Sequence, residues 1–270
     1  MPSFTEISPA QLNRLIGTPY APILLDLRLD EDFSEAPVLI PGARRFAYDR
    51  VGDHAAEWAG ETVILICHKG KKISHGAAAL LRLAGSTAEV LEGGMVAWVS
   101  AGHPCVSTTA LPGLGQYPTR WVTRHRPKID RIACPWLIRR FIDPHAQFLF
   151  VPPAEVRDVA DRFAAIPFDI EGGEWSHQGR ACTFDTMLSR FALHSETLDA
   201  LALIVRAADT NSHDLAPQAA GLLAISVGLS KLFKSDLEQM QAGFIVYDAL
   251  YRWARDGRDE GHDWPAGIPT

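Results

Sequence analysis

Cysteine is scarce in this chain. Cys67, Cys105, Cys134 and Cys182 are the only four in 270 residues. Spread that widely, they fit a disulfide framework poorly and point to reduced thiols in a cytoplasmic protein. No apolar run is long enough to span a bilayer. The longest, AAGLLAISVGL at 219–229, is interrupted by Ser226 and two glycines. The opening MPSFTEISPAQL lacks the basic and apolar segments of a secretory signal. Charge is not one-sided: the net value is −6 and the pI about 5.9, so nothing global draws the chain to nucleic acid or to a membrane. Tight Cys-x2-Cys and His-x3-His pairs are missing, which removes the strongest metal-binding signatures. Repeats and low-complexity tracts are missing too.

What is present is 47% apolar residues, enough for one large core or two ordinary ones. The first hundred residues alternate strand and helix signals. Ser8-Pro9-Ala10-Gln11 reads as a helix start, with Ser as N-cap, Pro at N1 and Gln at N3. ILLDL (23–27) and TVILIC (62–67) read as buried strands, SHGAAALLRLAG (74–85) as a helix closed by Gly85, and AEVLEGG (88–94) as a strand ending in a glycine turn. Buried strands separated by helices predict an α/β fold with an open, mostly parallel sheet, whose ligands bind at the carboxyl ends of the strands. Cys67 lies at such an end.

Residues 106–119 have Ser, Thr, Pro and Gly without periodicity and read as a linker. Beyond it, 120–257 reads as a second, mostly helical (α+β) domain, and 258–270 as a tail. CPWLIRRFI (134–142) leads into a short strand QFLFV (147–151). Residues 153–165 and 196–209 have helical patterns, and 217–233 reads as a near-fully apolar, central helix. Ser235-x2-Glu238 is a capping box, followed by a stripe of Leu237, Met240, Phe244, Tyr247 and Tyr251 that Gly257 ends.

The segment ILICHKGKKISHG (64–76) carries the clearest chemistry. A strand, a tight loop and a helix turn successive N–H groups into one concavity that favours an anion. His68, Lys69, Lys71 and Lys72 add positive potential that favours a thiolate at Cys67, and Gly70 permits a backbone path closed to other residues. The bland alternative is an inert core cysteine beside solvated lysines. The motifs around the loop resemble those of rhodanese-like sulfurtransferases over about residues 5–104: LLDLRLDEDF (24–33), IPGARRF (40–46), CHKGKKIS (67–74) and VLEGGMVAW (90–98). The resemblance implies that Cys67 takes a sulfane sulfur from a small anionic donor such as thiosulfate and passes it to a thiol or other nucleophile. It requires no cofactor. Residues 68–72 would hold the donor. Asp26 and Arg28 would line the entrance or form a structural ion pair. The loop runs Cys-x4-Lys, with Lys72 where many relatives have Arg. Cysteine phosphatases use Cys-x5-Arg, and here Ile73 stands at that later position, which argues against phosphate-ester chemistry.

In the second half, Arg124, Arg126, Lys128 and Arg131 belong to a dense basic stretch, readable as a solvated face or as an oxyanion or nucleic-acid contact. Glu174, His177 and Cys182, with Asp209 and His213, are a conceivable divalent-metal cluster, although capping and solvation of the loop explain the last two better. Residues 120–257 resemble the C-terminal domain of ChrB-type chromate resistance proteins, through RPKIDRIACPWLIRRFID (126–143), the 167–184 segment, IVRAADT (204–210) and YDALYRW (247–253). That resemblance implies an association with chromate resistance, with chromate as a conceivable ligand. The absence of a helix-turn-helix pattern and the acidic balance count against DNA as a partner. Two functions follow as expectations. One is sulfur transfer through a Cys67 persulfide coupled to the second domain, with Cys182 as a candidate acceptor and Cys134 better suited to the core. The other is a non-catalytic sensor of chromate or oxidants, or a regulator of a resistance operon.

Overall fold

The computed structural model describes residues 5–111 and 117–261. The first half is built on a five-stranded parallel sheet. In chain order its elements are β1 (Glu6–Ile7), α1 (Pro9–Leu15), β2 (Ile23–Asp26), α2 (Asp30–Glu35), β3 (Val38–Leu39), β4 (Ala43–Arg45), α3 (Val51–His54), β5 (Thr62–Ile66), α4 (Lys72–Leu83), β6 (Thr87–Leu91), α5 (Gly94–Ser100) and β7 (Val106–Ser107). Strand order is β1-β6-β5-β2-β4, with β5 at the centre. The expected helix start holds: Ser8 and Gln11 exchange both bonds of a capping box at the head of α1.

Side-chain alternation assigns each sheet face a different cover. Leu25, Leu27, Val63, Leu65 and Val90 pack under α3 and α4. Leu24, Ile64, Ile66 and Leu91 face the other way, and their core runs on through Leu12, Met95 and Trp98 into the second half, reaching Trp121, Trp136, Phe141 and Tyr251. The two halves therefore share one apolar core. Gly42 donates its N–H to the Phe141 carbonyl at 2.6 Å, and Arg255 donates to the Arg14 carbonyl.

The stretch read as a linker begins as structure. β7 pairs antiparallel with β3, and the Thr108 hydroxyl and N–H both reach the Pro37 carbonyl. Residues 112–116 lie outside the described residues, as does most of the predicted tail.

The second half has a small parallel sheet, β10-β8-β9, built from β8 (Arg120–Arg124), β9 (Gln147–Val151) and β10 (Ile166–Pro167). Around it lie α6 (Asp130–Phe141), α7 (Val156–Phe163), α8 (Thr183–Phe191), α9 (Glu196–Asp209), α10 (Gln218–Leu232) and α11 (Asp236–Asp256). The strand 147–151 and the helix 196–209 fall where the pattern placed them. Helix α10 does not take the central position predicted for it. Ile225 is 49% exposed and Leu232 72%, while the buried face carries Ala219, Leu222, Ser226 and Ser230. The reason is polar. Ser226 Oγ accepts the Ile129 N–H, and Ser230 Oγ accepts from Arg126, so the serine side faces inward. Leu237, placed in the core stripe of α11, is 49% exposed, whereas Met240, Phe244, Tyr247 and Tyr251 are buried as expected. It sits in the first turn of α11, in an open groove beside β9.

Gly17 tests the shared core. Its φ is +75°, and a Cβ there would lie 2.3 Å from the ring of buried Phe141. Gly17→Ala is expected to destabilise the chain by more than the roughly 1–2 kcal/mol of left-handed strain alone, read as the urea midpoint. An unchanged midpoint would mean that the two halves do not rely on this contact.

Candidate functional site

Cys67 directly follows the central strand. Its backbone is pinned by α5, whose free N-terminal N–H groups reach back to the loop: Met95 to the Cys67 carbonyl at 3.0 Å and Val96 to the His68 carbonyl at 3.1 Å. This approach demands glycine. Gly70, Gly93 and Gly94 all have positive φ. A Cβ on Gly94 would lie 2.3 Å from the Cys67 carbonyl oxygen, and one on Gly70 would lie 2.5 Å from the Leu91 carbonyl.

Two groups address the sulfur. Lys71 donates its N–H to Cys67 Sγ at 3.3 Å, and Ser74 Oγ lies 3.0 Å from Sγ. Ser74 also donates to the Lys71 carbonyl. Its hydroxyl accepts from a thiol in that state and turns its single proton to the sulfur when a thiolate forms. Ser74 does not begin the helix, as the sequence suggested. α4 starts at Lys72, with Lys71 as a cap residue whose side chain makes no capping bond. That early start places Ser74 in the first turn, against the sulfur. The side chains of Lys69, Lys71 and Lys72 are exposed and make no ion pair among the described residues, while His68 lies 3.9 Å from Asp32. Together the loop offers a thiol, an N–H, a hydroxyl and a helix N-terminus within a rim of lysines.

Asp26 and Arg28 form a buried pair. The Arg28 guanidinium holds the Asp26 carboxylate at 2.5 Å and donates to the Ala36 and Val38 carbonyls. Its planar face covers Phe33, whose ring also carries Arg45. Of the two roles considered, the geometry has Arg28 clip α2 and β3 to the end of β2.

A second cluster gathers at the carboxyl end of the small sheet. Asp130 opens α6, Asp169 follows β10, Asp209 closes α9, and His177 comes from the intervening loop. His177 Nε2 lies 3.2 Å from Asp130, 3.2 Å from Asp209 and 3.5 Å from Asp169. Asp169 is held by Arg124 at 2.6 Å, Arg131 at 3.2 Å and the Thr183 hydroxyl at 3.1 Å. The hydrogen bond to Asp130 pushes His177 up to about 9. Burial, reinforced by the adjoining Asp130 carboxylate, pushes Asp209 up to about 8 and also raises Asp169. One imidazole nitrogen and carboxylate oxygens on one point are donors suited to a cation.

Residues 8–101 match the family described as rhodanese-like domain, and residues 121–254 match the one described as ChrB, C-terminal domain. The chain joins a rhodanese-like domain to a ChrB C-terminal domain. Protein ChrB of Cupriavidus metallidurans is 36% identical over 138 residues, covering 50% of this chain and 41% of that protein, so the chain spans about two fifths of its curated relative. Among solved structures, a protein of Staphylococcus saprophyticus is 25% identical, with 37% of this chain and 97% of that one covered and a TM-score of 0.32. A rhodanese-like domain protein of Staphylococcus aureus is 28% identical, with 35% and 90% covered and a TM-score of 0.31. No helix among the described residues is long and apolar enough to cross a membrane.

Within the ChrB C-terminal domain the candidate residues separate. Arg124 and Arg131 converge on Asp169. Arg126 is turned away, donating to the Phe233 carbonyl and to Ser230, and Lys128 is exposed. The four do not form one oxyanion grip, because three already have protein partners. Of the five suggested metal ligands, His177 and Asp209 meet. Glu174 pairs with Arg190 on the surface. Cys182 is fully buried, caps α8 by accepting the Asp185 N–H, and has its thiol pushed far up by burial. His213 lies outside the cluster, its Nε2 buried without a partner. Asp130 and Asp169 take the vacated places. Their signal was positional: both stand just past the end of a strand, or at the head of the helix that follows one. Cys134 is fully buried, as its setting suggested, so neither cysteine presents a thiol to solvent.

Two outcomes follow. Gly94→Ala adds left-handed strain to a clash with the Cys67 carbonyl, and should lower stability by more than about 1–2 kcal/mol and loosen the loop; an unchanged melting temperature would contradict the packing. The cluster also sets a pH dependence. His177, held above its ordinary 6.5, stabilises the fold fully below that value and loses its contribution as pH rises through about 9. Asp209, held above 3.8, favours the folded state when protonated and loses that preference as pH rises through about 8. Both run the same way. With a chelator present, the melting temperature should fall from pH 6.5 to 9, and His177→Gln should flatten the slope; a rise in the wild type would contradict it.

Proposed function

We propose that the rhodanese-like domain transfers sulfane sulfur through Cys67, in the service of chromate resistance. The observation that carries this reading is the placement of Cys67 Sγ at the end of the central strand, receiving the Lys71 N–H and facing Ser74. The Cys67 thiolate attacks the outer sulfur of thiosulfate. A Cys67 S–S bond forms as the donor's S–S bond breaks, and sulfite leaves with the electron pair. A nucleophilic acceptor, a thiolate or cyanide, then attacks the outer sulfur of the persulfide, and the Cys67 thiolate is released. Loop N–H groups and the start of α4 stabilise the anion at each stage. Lys69, Lys71 and Lys72 attract the donor from solvent. No metal is needed for these steps.

The link to chromate rests on the ChrB C-terminal domain in the same chain. The full burial of Cys134 and Cys182 favours an external acceptor over transfer to either of them.

Thiosulfate:cyanide sulfurtransfer by the full chain tests the reading. Wild type should turn over and Cys67→Ala should not. Ser74→Ala should lose about tenfold in rate, the equivalent of one hydrogen bond to the reacting sulfur. Absence of turnover in the wild type with thiosulfate and with persulfide donors would favour an oxidant sensor instead.

A further inference from the structure

The Asp–His cluster is independent of Cys67 chemistry and lies in the other domain. Its charge distribution is uneven. Arg124 and Arg131 both engage Asp169. The Asp130 side chain is only 3% exposed, yet among the described residues it receives no arginine, lysine or backbone N–H. It faces His177 at 3.2 Å and has a second carboxyl, Asp209, within 4.8 Å. A buried carboxylate is normally paired or bound to a metal. His177 Nε2 carries at most one proton, and three carboxylates approach it. Asp169 has its two arginines and the Thr183 hydroxyl, which leaves Asp130 and Asp209 to share that one imidazole proton.

A second observation comes from the strand. Thr123 is fully buried in β8, and its Oγ1 has no hydrogen-bond partner. Val122 faces the α7 side, with Val156 and Ala160. Alternation therefore turns Trp121 and Thr123 to the opposite face, where Trp121 joins the core of Ile132, Ala133 and Trp136 on α6. Thr123 thus lies on the side of the sheet away from α7, the side whose core α6 joins, near the carboxyl end of a parallel sheet, where ligands of such sheets bind. Backbone on both flanks is strained: Ile129 has φ 45° and Asp169 has φ 52°. His177 is 40% exposed and gives the cluster a way out to solvent.

We propose that Asp130, His177 and Asp209 bind one divalent transition-metal cation. Asp169 is the adjoining carboxylate, positioned by Arg124 and Arg131. Ligand atoms from the three residues lie within 4.8 Å of one another. One imidazole with carboxylates and no thiolate selects hard to borderline cations, Mn2+, Fe2+ or Zn2+, over Cu+. The cation occupies the point where the three side chains converge and separates the Asp130 and Asp209 carboxyls. The basic stretch at the head of this domain then has a role: its arginines orient a carboxylate beside the cation, as hydrogen-bonding partners do around metal ligands.

The test uses the full chain, stripped with chelator and dialysed. Titration with MnCl2, followed by the electron paramagnetic resonance of free Mn2+, should show one ion bound per chain, with ZnCl2 competing. Asp209→Asn and His177→Gln should each weaken binding at least tenfold, and Glu174→Gln and Cys67→Ala should leave it unchanged. His177 is partly exposed, so His177→Gln should fold if Asp209→Asn does not; circular dichroism checks both. Failure of the wild type to take up either ion overturns the proposal, as does uptake that both variants retain in full. Sulfurtransfer by Cys67 is a separate readout, so either reading can fail alone.

Discussion

A parallel sheet is apolar on both faces, and both faces have to be covered. That requirement organises this chain. One face is closed locally, by α3 and α4 over Leu25, Val63, Leu65 and Val90. The other carries α1 and α5, each seven residues long, and its core extends past them into Trp121, Trp136 and Phe141 of the ChrB C-terminal domain. The second domain is thus part of the first domain's packing. The close contacts of Gly17 and Gly42 with Phe141 are where the two meet.

Both candidate sites obey the same geometry. Each sits at the carboxyl end of a parallel sheet, beside the start of the helix that follows the strand. A cavity between the domains is lined by Pro22, Ile23, Gly42 and Trp58 on one side and Ile142 to His145 on the other. Those first-domain residues lie at the amino ends of β2, β4 and β5. Cys67 lies at the opposite end of β5, so its loop opens away from this part of the interface. The two candidate sites share a core and not a mouth.

Much of this was legible in the residues. The strands at 23–26, 62–66 and 87–91 announce themselves as short apolar runs ending in turn chemistry, and α9 as an uninterrupted 3.6-residue pattern. The Cys67 loop was readable because its parts are contiguous. Helix α10 misled because apolarity was counted without regard to size: small residues occur all round it, and two serines decide which side is buried. The Asp–His cluster was half visible. His177 and Asp209 stood out, but Asp130 precedes His177 by 47 positions. Nothing in local spacing says that a helix head, a strand end and a helix tail converge. Cys182 and Glu174 looked like ligands by proximity in sequence and went elsewhere, one to a helix cap and one to a surface ion pair.

Gly70 and Gly94 face each other across the Cys67 loop with no space for a methyl group. The floor of the loop is therefore closed to variation, since any side chain at either position would collide with backbone. The rim is open: Lys69, Lys71 and Lys72 point outward. A loop built this way can change its partner without changing its frame. Divergence among chains of this design should accumulate in the rim lysines and leave the glycine floor as it is.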